Sequence, residues 1–201
     1  MPIDEGFERH FKNLFRAVEF QVKSNIPMFT ILLLPENREK TEDFPNFCEN
    51  MVEFFSNFRS NGIISEQKIK VSIFGKWYKL PGRLVEELKK SIDESKEYDN
   101  FFLNFCVNYD YQEEIVDACR LIAKQVELGK LDPEMITKET IKENVYSSYL
   151  LPPDILLIYG DRRSAGLLLW DSVNSRIMFA NKSFMDFEDK DIQDCLDDGN
   201  K

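Results

Sequence analysis

The side chains that most often carry chemistry are sparse in this 201-residue chain. His10 is the only histidine. Acid–base or metal work would be its usual use, but the helical spacing around it puts it on a polar face. Cys48, Cys106, Cys119 and Cys195 could serve metal or redox chemistry, yet no C-x-x-C pair forms among them. They read as reduced core thiols in a reducing compartment. Asp186, Glu188, Asp189, Asp191, Asp194, Asp197 and Asp198 face only Lys190 and Lys201 near the C-terminus. A cation or basic partner could use them, but residues 186–201 read more simply as a solvated acidic helix and tail. No nucleophile triad, metal cluster or phosphate-binding glycine loop stands out.

The elements that must position any site alternate in type. Apolar residues Phe7, Phe11, Leu14, Phe15, Val18 and Val22 predict a helix over 5–23. Met28 to Leu34 is a continuous apolar run suited to a buried strand. Phe44, Phe47, Cys48, Met51, Phe54, Phe55 and Phe58 predict a second helix. Lys70 to Phe74 is a strand stopped by Gly75, and Pro81 opens a helix continued by Leu84, Val85, Leu88 and Ile92. The pair Trp77-Tyr78 between them reads as a loop anchor. Phe101 to Val107 is a strand, and 113–128 a helix with Val116, Cys119, Ile122, Ala123 and Val126 inward and Gly129 as its C-cap. Thr137 caps a short helix to Tyr146, and Ile155 to Tyr159 and Arg176 to Phe179 are strands. This order predicts an α/β fold, a mainly parallel sheet with helices on both faces, in one domain over 1–201.

Composition narrows the function classes. Hydrophobic residues make up 43% and aromatics 13%, with 17 Phe, so the chain can bury a substantial core. A net charge of −10 argues against sequence-independent nucleic-acid binding, which needs a basic surface. No apolar run approaches the roughly 20 residues that span a bilayer. The expectation is a cytoplasmic protein that meets membranes only peripherally or through a partner.

Several strings resemble one family in order. Phe29-Thr30-Ile31-Leu32-Leu33-Leu34-Pro35-Glu36-Asn37 is similar to "TLYAFSTEN". Ile73-Phe74-Gly75-Lys76 with Leu80-Pro81 resembles "iGd…Lp", and Leu103 to Ala118 resembles "LNIAvNYGGRdEIvrA". Gly129-Lys130-Leu131 follows. Pro153-Asp154-Ile155-Leu156-Leu157-Ile158-Tyr159-Gly160-Asp161-Arg162-Arg163-Ser164, running on to Leu168-Leu169-Trp170, resembles "PDLLIRTSGE-x-RLSNFLLW". These are signatures of the cis-prenyltransferases, which condense isopentenyl diphosphate onto an allylic diphosphate with Mg²⁺ and several arginines offsetting the charge.

The resemblance implies residual diphosphate-binding positions at Asn37, Lys40, Asp161 and Arg163. It also implies a prenyl tunnel to which Phe47, Met51, Phe54 and Phe55 would contribute, although a Phe/Met stripe at helical spacing is more often plain core. Departures stand beside it. The family's opening "H-x-MDGN-x-RW" motif has no counterpart ahead of the first helix. Leu34-Pro35 occupies the Ser/Thr place of "STEN", and Asp110-Tyr111-Gln112 replaces Gly-Gly-Arg. Leu157-Ile158-Tyr159 offers no "IRTSGE" arginine, and Arg176 falls where the family has a metal-binding Glu. The same C-terminal string resembles the Nogo-B receptor-type, non-catalytic subunits, although their Arg-x-Gly ending is absent.

The expectation is therefore an accessory subunit, inactive alone. It would bind no metal itself, would pair through its C-terminal half with a catalytic subunit whose site holds Mg²⁺, and would meet isoprenoid diphosphates through the complex. Such a complex would make long-chain polyprenyl diphosphates for glycan-carrier lipids. The alternatives are a divergent homodimeric transferase and a prenyl-lipid binding protein.

Overall fold

A computed structural model describes residues 3–36, 38–160 and 166–199. The chain separates into two compact units, Met1–Asn108 with Lys182–Lys201, and Tyr109–Asn181.

In the first unit, helix α1 (Ile3–Lys23) leads to strand β1 (Met28–Pro35), helix α2 (Phe44–Ser60) and a short helix α3 (Ile63–Gln67). Strand β2 (Ile69–Phe74), helix α4 (Gly82–Ser95) and strand β3 (Phe101–Tyr109) follow. The sheet order is β1-β3-β2, with β2 and β3 parallel and in register from Ile69↔Phe101 to Phe74↔Cys106. Alternation along β3 turns Phe101, Leu103, Phe105 and Val107 into one core with Phe11, Leu14 and Val18 of α1, Met51, Phe55 and Phe58 of α2, and Leu84 and Leu88 of α4.

Several buried polar groups in this unit tie elements together. Gln21 is fully buried, and its Nε2 donates to the Ile26 and Phe102 carbonyls at 3.2 and 3.1 Å, tying the end of α1 to β3. On β2 the Val71 N–H donates to Ser95 Oγ of α4 at 3.0 Å, and that hydroxyl donates on to the Ser91 carbonyl at 2.7 Å.

The second unit holds helices α5 (Tyr111–Glu127) and α6 (Lys138–Asn144) and strands β4 (Ile155–Tyr159) and β5 (Arg176–Ala180). Strands β4 and β5 pair in parallel, from Ile155↔Arg176 to Tyr159↔Ala180. Thr137 caps α6 through a reciprocal box with Thr140. The acidic C-terminal segment of the first unit forms helix α7 (Asp189–Gly199).

The α/β class and its parallel strand pairs agree with the sequence expectation. Two local expectations do not hold. The inward face of α5 is Glu114, Ala118 and Ile122, whereas Val116, Cys119 and Ala123 are exposed. Cys119 is thus a surface thiol, while Cys48, Cys106 and Cys195 are buried. The physical reason is polar: Tyr109 OH donates to Glu114 Oε2 at 2.6 Å, which turns the carboxylate side of α5 inward. No helix of the described residues is long and apolar enough to cross a membrane.

Candidate functional site

In open α/β sheets, ligands bind beyond the carboxyl ends of the strands. In the first unit those ends bring together Glu36 after β1, Lys76 after β2 and Asn108 on β3. Gly75, at φ +96°, reverses the chain in a region that disfavours side chains. Lys76 then lies across β3: its N–H donates to the Asn108 carbonyl at 3.0 Å, and Asn108 Nδ2 donates to the Lys76 carbonyl at 3.2 Å. The Lys76 side chain is 10% exposed, with Nζ 3.7 Å from Glu36 Oε1.

The loop after β1 is held from the α2 side. Arg38 Nη2 donates to Asp43 Oδ2 at 2.8 Å, and the guanidinium lies 4.9 Å from the Phe47 ring centroid. Lys40 ends the same short turn and is exposed. His10 sits at the edge of this group, and its setting corrects the polar-face expectation. Its ring meets Phe11, Phe47 and Phe184 at 5.3, 6.4 and 5.2 Å, and Nε2 is buried without a hydrogen-bond partner. Burial first, and the Arg38 cation second, hold its pKa down to about 4. It is a neutral ring in an aromatic wall. Nearby on α2, burial pushes the Cys48 thiol up to about 11, so it is no thiolate nucleophile.

Phe47, Met51, Phe54 and Phe55 all lie in the core. Phe54 stacks on Phe11 and Phe58 at 5.2 and 5.4 Å, and Phe55 meets Phe105 edge-on at 5.3 Å. Between α1 and α2 a groove of about 290 Å³ opens, with Phe11, Phe15, Phe54 and Phe58 on its apolar side and Glu8, Lys12 and Glu53 among its polar residues. Of the four stripe residues, the groove reaches Phe54 alone.

In the second unit, Asp110 caps α5, its Oδ1 accepting from the Gln112 and Glu113 N–H groups at 2.8 and 2.9 Å. Tyr111 lies so close to Gly166 that a Cβ there would fall 2.2 Å from the ring. The larger residue in place of the small turn is therefore accommodated by a glycine at φ +64°. Gly166→Ala is expected to lower the unfolding free energy by about 2 kcal/mol, through combined backbone strain and overpacking. Urea denaturation of variant and parent checks this.

Beyond Gly166, the Leu168 N–H donates to Tyr109 OH at 3.2 Å. Asp171 accepts from Lys142 Nζ at 2.7 Å and Ser147 Oγ at 2.6 Å, fixing the end of the apolar signature to α6. Burial raises the pKa of Glu114, opposed by the Tyr109 hydrogen bond. Arg176 is exposed at the start of β5.

Lys40 is thus the one diphosphate candidate placed here; Asn37, Asp161 and Arg163 lie outside the described residues. Sequence patterning singles out neither Lys76 nor Arg38. The available signal for Lys76 is a charged residue directly after a strand and a turn glycine. Among the described residues no group of three His, Cys, Asp or Glu side chains could hold a metal ion. Where the resemblance expects a metal carboxylate, position 176 carries a guanidinium, so the described residues supply no carboxylate for Mg²⁺ at that position.

Comparison with known proteins gives one result throughout. The family model described as "Putative undecaprenyl diphosphate synthase" matches residues 1–200. A tritrans,polycis-undecaprenyl-diphosphate synthase (geranylgeranyl-diphosphate specific) of Methanopyrus kandleri is 33% identical over 157 residues. That match covers 78% of this chain and 58% of the relative. An isoprenyl transferase of Streptococcus thermophilus is 29% identical over 172 residues, covering 83% and 68%. The crystal structure of lavandulyl diphosphate synthase from Lavandula x intermedia, in complex with dimethylallyl diphosphate, matches with a TM-score of 0.91 at 25% identity. It covers 98% of this chain and 86% of that one.

Proposed function

The chain belongs to the cis-prenyltransferase family, and on that premise we propose that it condenses isopentenyl diphosphate onto an allylic diphosphate, as a homodimer. In that reaction the allylic C–O bond breaks and pyrophosphate leaves. The isopentenyl double bond attacks the freed carbon, and a proton is lost. The observation that carries this reading is the family match across residues 1–200, on a fold similar to that of a diphosphate synthase solved with an allylic diphosphate.

Asn37, Lys40, Asp161 and Arg163 are the proposed diphosphate contacts. The groove between α1 and α2 is the proposed entry for the prenyl chain, with Phe47, Met51, Phe54 and Phe55 behind it. Mg²⁺ is an assay requirement; no step is assigned to a metal held by the described residues. The proposed setting is the cytoplasm, with membrane contact through partner or product.

The proposed dimer face is on the second unit. Among the described residues, the exposed large apolar side chains fall, Tyr78 apart, between Val116 and Phe179. Val173 is 80% exposed and Leu151 75%. Such a concentration of apolar surface suits a subunit contact.

A second reading, an accessory subunit of the Nogo-B receptor type, is favoured by two substitutions. Arg176 puts a cation where a metal carboxylate is expected, and Tyr111 fills the place of the small Gly-Gly turn. One assay separates the readings: extension of farnesyl diphosphate with Mg²⁺ by this chain alone, by a catalytic relative alone, and by the mixture. Product from this chain alone supports the homodimeric enzyme. Product that needs both chains supports the accessory role and refutes the first reading.

A further inference from the structure

We propose that residues 184–198 form an acid-released strap: a proton taken up by His10 lifts Phe184 and the chain behind it off α1, uncovering the aromatic wall of Phe11 and Phe47. Nothing in this device depends on a transferase reaction.

The space around His10 serves a polar ring poorly. Nε2 is buried and has no hydrogen-bond partner among the described residues, which costs stability. Phe11, Phe47 and Phe184 wall the ring in at 5.3, 6.4 and 5.2 Å. The charged groups packed around it are Arg38, bound to Asp43 at the start of α2, and Arg9 of α1, bound to Asp186 of the strap. Arg38 opposes a second positive charge. A protonated ring carries an N–H at Nε2 that needs an acceptor or water, and the phenyl rings supply neither.

Of the three walls, Phe184 is the one that can leave. Phe11 and Phe47 are buried within α1 and α2. Phe184 instead opens the short turn Phe184–Asp186, which is held from the surface of α1. Asn13 Nδ2 donates to the Phe184 and Met185 carbonyls at 2.9 and 2.8 Å. Arg9 Nη2 lies 3.1 Å from Asp186 Oδ1, and Arg16 Nε 2.7 Å from Asp189 Oδ1. Both ion pairs are solvent-exposed and contribute little. Among the described residues of the strap, the buried apolar anchors are Phe187, Ile192 and Cys195. A segment so held can open as a unit while the β1-β3-β2 core stays closed.

The direction of the response follows. Burial and Arg38 hold the pKa of His10 at about 4 in the closed state, against 6.5 for the free ring. The open state therefore takes the proton first. Closure is fully favoured above pH 6.5 and is lost as pH falls. Between pH 7 and pH 5 the open-to-closed ratio should rise about 20-fold, the change that these two values dictate.

The test is hydrogen–deuterium exchange of the full chain at pH 7 and pH 5, read as protection relative to the intrinsic rate at each pH. Protection across 184–198 should fall about 20-fold, while that of β3 holds. His10→Phe keeps a ring without a titrating nitrogen and should leave the strap protected at pH 5. His10 is the only histidine, so its NMR titration reads the same event. It should lie well below 6.5 in the parent and return to about 6.5 in Phe184→Ala. Strap protection that is independent of pH, that falls together with β3, or that falls equally in His10→Phe overturns the proposal. Should His10→Phe fail to fold, Phe184→Ala decides: a His10 titration still displaced as in the parent overturns it.

Discussion

Phe55→Ala is expected to lower the unfolding free energy by about 3–5 kcal/mol, the range for truncating a buried aromatic. Phe55 is fully buried, with its ring edge-on to Phe54 at 5.2 Å and to Phe105 at 5.3 Å. Removing it deletes transfer free energy and both ring contacts, and leaves a hole bounded by rigid rings that collapse poorly. Urea denaturation monitored by circular dichroism gives the value, and Phe15→Ala is the comparison. Phe15 is only partly buried and meets Phe58 alone among the rings described, so its loss should be the smaller. A Phe55→Ala cost below about 1 kcal/mol would mean that space already exists beside the ring, as an open prenyl channel would require. The result therefore bears on function as well as stability.

Acidification should destabilise the protein through His10 by roughly 3 kcal/mol. The ring is neutral in the fold with its pKa lowered from 6.5 to about 4. A depressed pKa means that the unfolded chain binds the proton more tightly. The contribution is thus fully present above pH 6.5 and is lost as pH falls through 4. Glu114 acts in the opposite sense: its raised pKa gives stability that is present below the ordinary carboxyl value and lost as pH rises. The two overlap, so the informative quantity is the difference between parent and His10→Leu. That difference should be flat above pH 6.5 and should move in favour of the variant on going to pH 4. A difference independent of pH would show that His10 titrates normally, contrary to its enclosure by Phe11, Phe47 and Phe184.

The fold was legible wherever local pattern and burial coincide. The apolar run at Phe101–Val107 became the central strand β3, buried along nearly its whole length, while Met28–Leu34 became β1 at a margin of the sheet, half-buried except at Leu33 and Leu34. The Phe stripe of α2 became core because its spacing matches the helical repeat. Helix α3 lay below that resolution, since five residues between left-handed Gly62 and Lys68 show no period.

The misread features depend on contacts distant in sequence. His10 has exposed neighbours Glu8 and Arg9, but Phe47 and Phe184 arrive from α2 and the C-terminal segment to enclose it. The inward face of α5 was set by a hydroxyl on β3 that selects Glu114, while Val116, Leu121 and Leu128 remain outside. Lys76 could be read as a charge after a turn, but its burial and its Asn108 clamp follow from strand order, which one sequence does not display. The diphosphate candidates came from resemblance, and Lys40 alone of the four lies among the described residues.

The serine on α4 that accepts the Val71 N–H has a consequence for how this molecule can fail. Strand β2 lies at the margin of the β1-β3-β2 sheet, and an unmated margin strand is a template on which another chain can polymerise. A side-chain hydroxyl already occupies one of its outward donors, with a helix standing over it. Ser95→Ala would uncover that donor, and its first symptom would be fibril or oligomer growth on mild heating while the remaining fold stays native.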